Sequence, residues 1–192
     1  MIFFPNAKIN LGLNILNKRD DGYHNIQSIL IPIPFNDVLE LFPQKPSTFT
    51  MYGYPTASLL ENNLVPRVFR QMQKIYGLPD TELILYKNIP SGSGLGGGSS
   101  DAAFTVKALN KTFQLGLTTG EMEDFVQGFS TDCRFFVRNE PSLVSGKGNI
   151  QKSIDLSFLK DWNIHVINPN IFISTSDAYK LIKPKGPAPD LG

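Results

Sequence analysis

The sequence predicts an α+β fold, because strand-like and helix-like segments follow one another in mixed order. Three observations carry this prediction: apolar residues alternate over residues 7–16, they recur with a helical period over 61–76, and a glycine-rich loop separates a strand from an alanine-rich helix. The 192 residues are 41% apolar and 18% charged, with a formal net charge of +1. This length is enough for a buried core, and the near-neutral charge argues against a nucleic-acid backbone as a partner.

The remaining composition predicts a soluble, cytoplasmic protein. The single cysteine, Cys133, cannot form an internal disulfide, and no Cys/His cluster has the spacing of a zinc site. The N-terminus lacks a basic segment followed by an apolar stretch, so no signal peptide is expected. No run approaches the roughly 20 apolar residues that cross a bilayer. We therefore expect neither a membrane partner nor a metal held by a dedicated set of protein ligands.

Strands dominate the first quarter of the chain. Within the segment from Ala7 to Leu16, every odd position is apolar. This alternation predicts a half-buried strand with Lys8 and Asn10 together on its open face. The polar segment 18–22 reads as a turn. Three further strands are predicted, at Ile26–Ile33, Asp37–Phe42 and Thr48–Tyr52.

Helices appear from residue 61 onwards. The apolar period predicts a helix over Glu61–Tyr76, capped by Asn62 or Asn63 and ended by Gly77. The elements expected after it are a strand at Glu82–Lys87, a helix from about Ser99 to Phe113 with a serine cap at Ser99 or Ser100, a helix after the capping-box pattern at Thr118, strands at Leu143–Val144 and Ile164–Ile167, and a last short helix within 174–182. Residues 183–192 are half proline and glycine, so we expect one domain over 1–182 and a linker after it.

The loop before the alanine-rich helix carries the clearest functional signal. It contains five glycines and four serines: Pro90, Ser91, Gly92, Ser93, Gly94, Leu95, Gly96, Gly97, Gly98, Ser99 and Ser100. Glycines let successive backbone N–H groups face one anion, and the following helix adds its positive end, so the loop is typical of a polyphosphate site. The Gly-Lys-Ser/Thr of a Walker A loop is absent, as are the motifs of protein kinases. The pattern Gly92-x-Gly94-x-x-Gly97 fits the dinucleotide fingerprint, but no acidic residue follows where that fold requires one.

Residues 90–102 closely resemble the ATP-binding motif of the GHMP kinases, a family of small-molecule kinases. Three more segments resemble that family's motifs in the same order: Pro5–Leu11, Asp21–His24 and Thr131–Phe136. The resemblance runs from residue 2 to about 184. It implies the family's N-terminal domain, of the ribosomal protein S5 domain 2-like fold, with ATP and Mg²⁺ as cofactors.

The resemblance also implies roles for individual residues. Asp132 matches the catalytic aspartate and Lys8 the catalytic lysine, with Asn10 as a substrate-binding neighbour. The matches for binding residues are Tyr23, His24 and Tyr179 at a cytosine, and Asn63 and Leu64 near the adenine. The segment Asp21–His24 narrows the implied reaction to phosphorylation of a cytidine diphosphate-linked methylerythritol on its 2-hydroxyl, in non-mevalonate isoprenoid synthesis.

Two alternatives stay open at this point. In the first alternative, the chain is another GHMP kinase, for mevalonate, homoserine or a sugar. In the second, it is a nucleotide-binding fragment with weak catalysis, because the family's chains continue into a second domain. Two residues also depart from the family pattern: Ser130 replaces a glycine, and Arg134 replaces a small or apolar residue. Either change is expected to affect the turn that carries Asp132, and Arg134 is a candidate for a phosphate contact.

Overall fold

Alternating apolar residues build two four-stranded sheets, and helices pack against both, in a computed structural model that describes residues 1–44, 46–54 and 63–168. The strands are β1 (Ile2–Phe3), β2 (Asn6–Lys18), β3 (His24–Asn36), β4 (Val38–Pro43), β5 (Thr48–Gly53), β6 (Thr81–Lys87), β7 (Ser142–Ser145) and β8 (Ile150–Ser153). The helices are α1 (Leu64–Tyr76), α2 (Gly97–Thr112), α3 (Thr119–Val126) and α4 (Cys133–Arg138), with a 3₁₀ turn at Ser157–Leu159. The α+β prediction is confirmed.

The two sheets have different strand orders. One sheet runs β1-β4-β6-β5, with β5 and β6 parallel and joined through α1. The other runs β2-β3-β7-β8 and is antiparallel throughout. Its two long strands, β2 and β3, form a ribbon whose turn is the predicted polar segment near residue 20. The predicted strands of the first half are therefore confirmed, each with slightly different ends.

The helices begin and end where local signals place them, with one exception. Asn63 caps α1 by accepting a hydrogen bond from the Val65 N–H, and Gly77 ends it in the left-handed conformation at φ 64°. Thr118 and Glu121 form the predicted capping box of α3.

The exception is α2, for which the predicted serine cap is wrong. The helix starts at Gly97, and its N-cap is Gly96 at φ 74°, without a side-chain capping bond in the described structure. A glycine takes this left-handed conformation easily, so the last residues of the glycine loop become the first turn of the helix. Ser99 and Ser100 lie inside that turn.

Strand β2 is confirmed, but its predicted open face is wrong at Lys8. The side chain of Lys8 is buried, because the glycine loop and α4 cover this end of the strand. At the other end the apolar side chains of Leu11, Leu13 and Leu16 are exposed. Gly12, at φ 74°, inserts a bulge between Leu11 and Leu13, so the strict alternation of faces is broken in the middle of the strand.

The main core lies between the four helices and both sheets, with Leu30 and Val144 contributed by the second sheet. Its fully buried members are apolar side chains, among them Leu39, Leu41, Val65, Val68, Leu85, Val106, Phe135 and Phe136. The predicted strand at Ile164–Ile167 is wrong: no strand pairs with these residues in the described part of the chain, and Ile167 is 89% exposed. The predicted last helix and linker, 174–192, lie outside the described residues.

None of the helices described by the structure is both long and apolar enough to cross a membrane.

Candidate active site

The glycine loop is built as the sequence predicts, with alternate glycines in the left-handed region. Gly92, Gly94 and Gly96 have φ values of 72°, 77° and 74°. Alternation of this kind turns successive N–H groups toward one side and produces a concave anion site, the glycine nest. The Ser93 hydroxyl donates to the Pro90 carbonyl at 2.7 Å and closes the loop on itself, while the Leu95 side chain is buried beneath it.

Lys8 and Asp132 meet beside this loop. Lys8 Nζ lies 3.6 Å from Asp132 Oδ2 and donates to Asn10 Oδ1 at 2.7 Å. Asn10 in turn donates to the Ser28 hydroxyl at 2.7 Å, and Ser28 donates to the Gly12 carbonyl at the bulge. Hydrogen bonds through Asn10 therefore hold the ammonium group on one side. On the other side it lies at ion-pair distance from the partly exposed carboxylate of Asp132.

Backbone contacts bring Lys8 to the loop. The Lys8 N–H donates to the Leu95 carbonyl at 2.9 Å. A Cβ atom on Gly96 would lie 3.2 Å from Lys8 Cγ and 2.9 Å from Phe136 Cζ, so only glycine permits this approach of loop, strand and α4. Three segments that are distant in sequence thus converge on one place.

The turn that carries Asp132 is tied to the start of α2. The Ser99 hydroxyl donates to the Ser130 hydroxyl at 2.9 Å. Asp132 occupies the N-cap position of α4, but its side chain makes no capping bond in the described structure and faces Lys8 instead. Ser130 therefore adds a bond between the start of α2 and the turn that carries Asp132.

The second departure, Arg134, pairs with Glu123. Arg134 Nη2 donates to Glu123 Oε2 at 3.2 Å, and Arg138 donates to the same carboxylate through Nε. Glu123 is buried on α3, so the three charges fasten α4 to α3. The idea that Arg134 reaches a phosphate is not supported by this placement, because its guanidinium group is already engaged.

Sequence reasoning missed a buried ion cluster at the other end of the glycine loop. Lys87 donates to Asp37 Oδ2 and, at 2.6 Å, to Asp101 Oδ2. Burial and the second carboxylate raise the pKa of Asp101 to about 8, although the Lys87 charge acts in the opposite direction. Burial also lowers the pKa of Lys87, but both carboxylates outweigh it and the net shift is upward. A signal was present: Lys87 shares the buried phase of β6 with Leu83 and Leu85.

Tyr23 and His24 lie at the turn end of the β2–β3 ribbon. Tyr23 is 57% exposed, and the Lys147 ammonium lies 5.2 Å from the centroid of its ring. Its backbone N–H donates to Asp21 Oδ1, which fixes the turn. One face of the ring thus lies against a cation. Nothing in the sequence linked Lys147 to Tyr23.

The other predicted site residues are two at the start of α1 and one near the C-terminus. Asn63 caps α1, and Leu64 packs partly against the core. Tyr179 lies outside the described residues, as does any contact it makes.

A magnesium ion would fit this site only together with the nucleotide. No group of three or more His, Cys, Asp or Glu residues could hold a metal within the described ranges. Mg²⁺ commonly keeps several waters and binds through substrate phosphates with one or two protein oxygens. The Ser100 hydroxyl is buried without a hydrogen-bond partner in the described part of the chain, so it is an oxygen that such an ion would satisfy.

Comparison with known proteins agrees with this geometry. Residues 63–134 match the family model described as "GHMP kinases N terminal domain". A 4-diphosphocytidyl-2-C-methyl-D-erythritol kinase from Bacteroides fragilis is 44% identical over 191 residues, covering 97% of this chain and 69% of the relative. The same enzyme from Bacteroides thetaiotaomicron is 46% identical with the same coverage.

Solved structures also match this chain, one at the level of the enzyme and one at the level of the fold. A crystal structure of 4-(cytidine 5'-diphospho)-2C-methyl-D-erythritol kinase matches with a TM-score of 0.80 and 26% identity, over 100% of this chain and 68% of that one. The mevalonate kinase of Methanococcus jannaschii matches with a TM-score of 0.60 at 15% identity, over 83% of this chain and 57% of that one, which supports the fold alone.

The two-sheet fold, with its glycine nest beside a lysine–aspartate pair, is that of the N-terminal domain of a GHMP kinase. Within that class, the chain belongs to the 4-diphosphocytidyl-2-C-methyl-D-erythritol kinase family, whose members it matches along nearly all of its length.

The cysteine next to Asp132 provides a direct test of how firmly α4 is packed. Burial raises the pKa of the Cys133 thiol to about 12. Since the thiolate is the reactive form, the buried thiol of the native chain should be very largely un-ionised and unreactive at pH 8. We expect the native chain not to react with a disulfide thiol reagent over an hour, and the guanidinium-unfolded chain to react at its single cysteine. The Cys133→Ala variant serves as the blank, and rapid modification of the native chain would show that α4 opens readily.

Proposed function

We propose that this chain catalyses transfer of the γ-phosphoryl group of ATP to the 2-hydroxyl of 4-diphosphocytidyl-2-C-methyl-D-erythritol, a step of non-mevalonate isoprenoid precursor synthesis. The observation that carries the proposal is the pairing of Lys8 with Asp132 at 3.6 Å beside the glycine nest. Identity of 44–46% to kinases of that name supports the choice of substrate.

Asp132 is the proposed general base. Its carboxylate would accept the proton of the substrate hydroxyl as the oxygen bonds to the γ-phosphorus, while the bond from phosphorus to the β,γ-bridging oxygen breaks and its electron pair leaves with ADP. The absence of a capping bond from Asp132 leaves its oxygens directed at Lys8 rather than at the backbone of α4. A carboxylate that the helix backbone does not engage keeps an oxygen that can accept a proton.

Lys8 is proposed to orient the acceptor and to offset negative charge. Its ammonium group has one donor bond to Asn10 and lies within ion-pair distance of Asp132, so further donor capacity is available for an oxygen of the substrate. Burial of the side chain lowers the surrounding dielectric, which strengthens its interaction with charge that develops during phosphoryl transfer.

The loop from Pro90 to Ser100 is proposed to hold the ATP phosphates, with Mg²⁺ bound to the same phosphates and Asn63 and Leu64 close to the adenine. The ion would neutralise phosphate charge when bound. Support comes from the alternating left-handed glycines and from the helix N-terminus that follows them. We also propose that the reaction takes place in the cytoplasm.

The cytidine end is proposed to bind at the turn of the β2–β3 ribbon. Tyr23 would stack on the base, His24 would read its edge, and Tyr179 would oppose Tyr23. The exposure of Tyr23 and the cation that lies against its ring support this arrangement. We further propose one domain over 1–182 and a linker at 183–192, since half of the last ten residues are proline or glycine. The chain spans 69% of the length of the relatives.

Replacement of the base tests the chemistry. Asp132→Asn keeps the shape but cannot accept the proton, so kcat should fall by about 10²–10⁴-fold while ATP affinity changes little. Asp124→Asn, an exposed carboxylate on the neighbouring α3, is the matched control and should retain activity. Steady-state kinetics and calorimetric ATP titration measure the two quantities. Near-normal turnover of Asp132→Asn would remove it from its role.

A methyl group in the nest tests phosphate binding. Gly98 is exposed in the first turn of α2, and a Cβ there meets no atom within 4 Å, so Gly98→Ala should fold normally. The methyl group would project into the space proposed for phosphates and should weaken ATP binding about tenfold, or about 1.4 kcal/mol. Gly120→Ala in α3, equally exposed and equally open, is the control. Equal ATP affinity in both variants would mean that the nest does not hold the nucleotide.

Removal of the exposed ring tests substrate choice. Tyr23→Ala should weaken binding of the cytidine substrate by roughly 1–3 kcal/mol, the range of base–aromatic stacking, and leave ATP binding unchanged. Tyr76→Ala, at the exposed end of α1, controls for loss of a tyrosine elsewhere. The comparison uses the cytidine substrate and an analogue without cytosine. If the wild-type chain binds the two equally, the cytidine assignment fails and only the broader kinase class remains.

A further inference from the structure

A buried cluster of three charges lies beneath the proposed phosphate site without entering it. Lys87 is the last residue of β6, Asp37 joins β3 to β4, and Asp101 stands in α2. All three side chains are at most 3% exposed. Lys87 donates to a carboxylate oxygen of each aspartate. The cluster therefore connects three segments of the fold at one point.

Asp37 holds the entrance of the glycine loop. Its second oxygen, Oδ1, accepts from the backbone N–H groups of Asn88 at 2.6 Å and Ile89 at 2.8 Å, the first residues after β6. The Asn88 side chain donates to the Asn36 carbonyl at 3.0 Å and fixes the same corner. The path of the chain into the loop is thus set by the carboxylate.

Lys87 and Asp101 hold the exit. Asp101 belongs to α2, whose first residue, Gly97, ends the loop, and a Cβ on Gly97 would lie only 3.2 Å from Lys87 Nζ. The ammonium group therefore lies directly beneath the first turn of the helix. Through it, Asp37 at the entrance and Asp101 at the exit are joined, so the separation of the two loop ends is determined by the cluster.

The cluster is not explained by stability or by direct phosphate contact. Buried ion clusters are often no more stabilising than apolar side chains of similar volume, and the buried positions that precede Lys87 on β6, Leu83 and Leu85, are apolar. One oxygen of Asp101 has no hydrogen-bond partner among the described residues, which adds a penalty. The ammonium is already engaged by two carboxylates, so Lys87 is not placed to contact a phosphate.

We propose that Asp37, Lys87 and Asp101 are positioning residues for ATP: they fix both ends of the glycine loop and thereby align its N–H groups before the phosphates arrive. The inference rests on the proposed function for its ligand. Preorganisation of this kind raises affinity because the loop loses less conformational freedom on binding.

The decisive variant replaces the pair that closes the loop. Lys87→Met with Asp101→Leu removes the ammonium and carboxyl groups that join the two loop ends. The Asp37 carboxylate keeps its two backbone N–H donors but loses its cation, so the double variant should be less stable than the wild type. We expect it to bind ATP at least about tenfold more weakly in calorimetric titration below its own unfolding temperature, with affinity for the cytidine substrate unchanged.

A conservative variant and a destabilised control complete the test. Asp101→Asn retains an acceptor for Lys87 and should bind ATP within about threefold of wild type, whereas Asp101→Ala should resemble the double variant. Val106→Ala, buried in the same helix, lowers stability without touching the cluster and should leave ATP affinity unaltered.

The outcomes separate the two proposals. Unchanged ATP affinity in both the double variant and Asp101→Ala would overturn the positioning role. Equal loss in Val106→Ala would overturn it as well, since the effect would then follow stability alone. A wild-type chain that binds no ATP at all would instead overturn the proposed function, and the positioning role with it.

Discussion

The close approach at Gly96 is the constraint on which the rest of the site depends. Strand β2, helix α4 and the glycine loop meet there, and a side chain would collide with Phe136 and Lys8. The left-handed conformation of Gly96 also starts α2, so the same residue directs the helix N-terminus and admits the lysine. Without this approach the Lys8 N–H would lose the Leu95 carbonyl, and the ammonium group would be displaced from Asp132. The glycine loop and the Lys8–Asp132 pair therefore form as one unit.

Helix α4 is too short to be rigid on its own, and its position depends on contacts at both ends and along its length. A helix of six residues has few internal hydrogen bonds. Asn139 ends it and donates to Asn6 Oδ1 at 2.7 Å, and the Ser99–Ser130 bond holds the preceding turn. The paired arginines on Glu123 hold the outer face. Ser130 and Arg134 thus add restraints around Asp132.

Local signals were sufficient for most elements, because caps and periodicity depend on neighbours in sequence. Asn63 with Gly77, the capping box at Thr118, and the glycine loop are of this kind. Helix α4 and the strands β1 and β8 were not predicted, because they are too short to show a period. The burial of Lys8 and the salt bridges of Lys87 could not be derived either, since both arise from chain segments that meet only in the folded state. A lysine in the apolar phase of β6 was the one local sign of the cluster.

The bulges in the β2–β3 ribbon decide which side chains of β2 are buried. The register pairs Lys8 with Pro32 and Lys18 with His24, so Lys8 and the turn residues are ten residues apart along β2. A straight strand of that length would extend about 33 Å. Register shifts fall between Leu11 and Leu13 and again between Ile15 and Asn17, and each bulge bends and twists a ribbon. These shifts explain why the apolar alternation of β2 does not produce a single buried face. If Lys8 and Tyr23 contact one substrate, as proposed, the ribbon has to bend by this means to bring both within its reach.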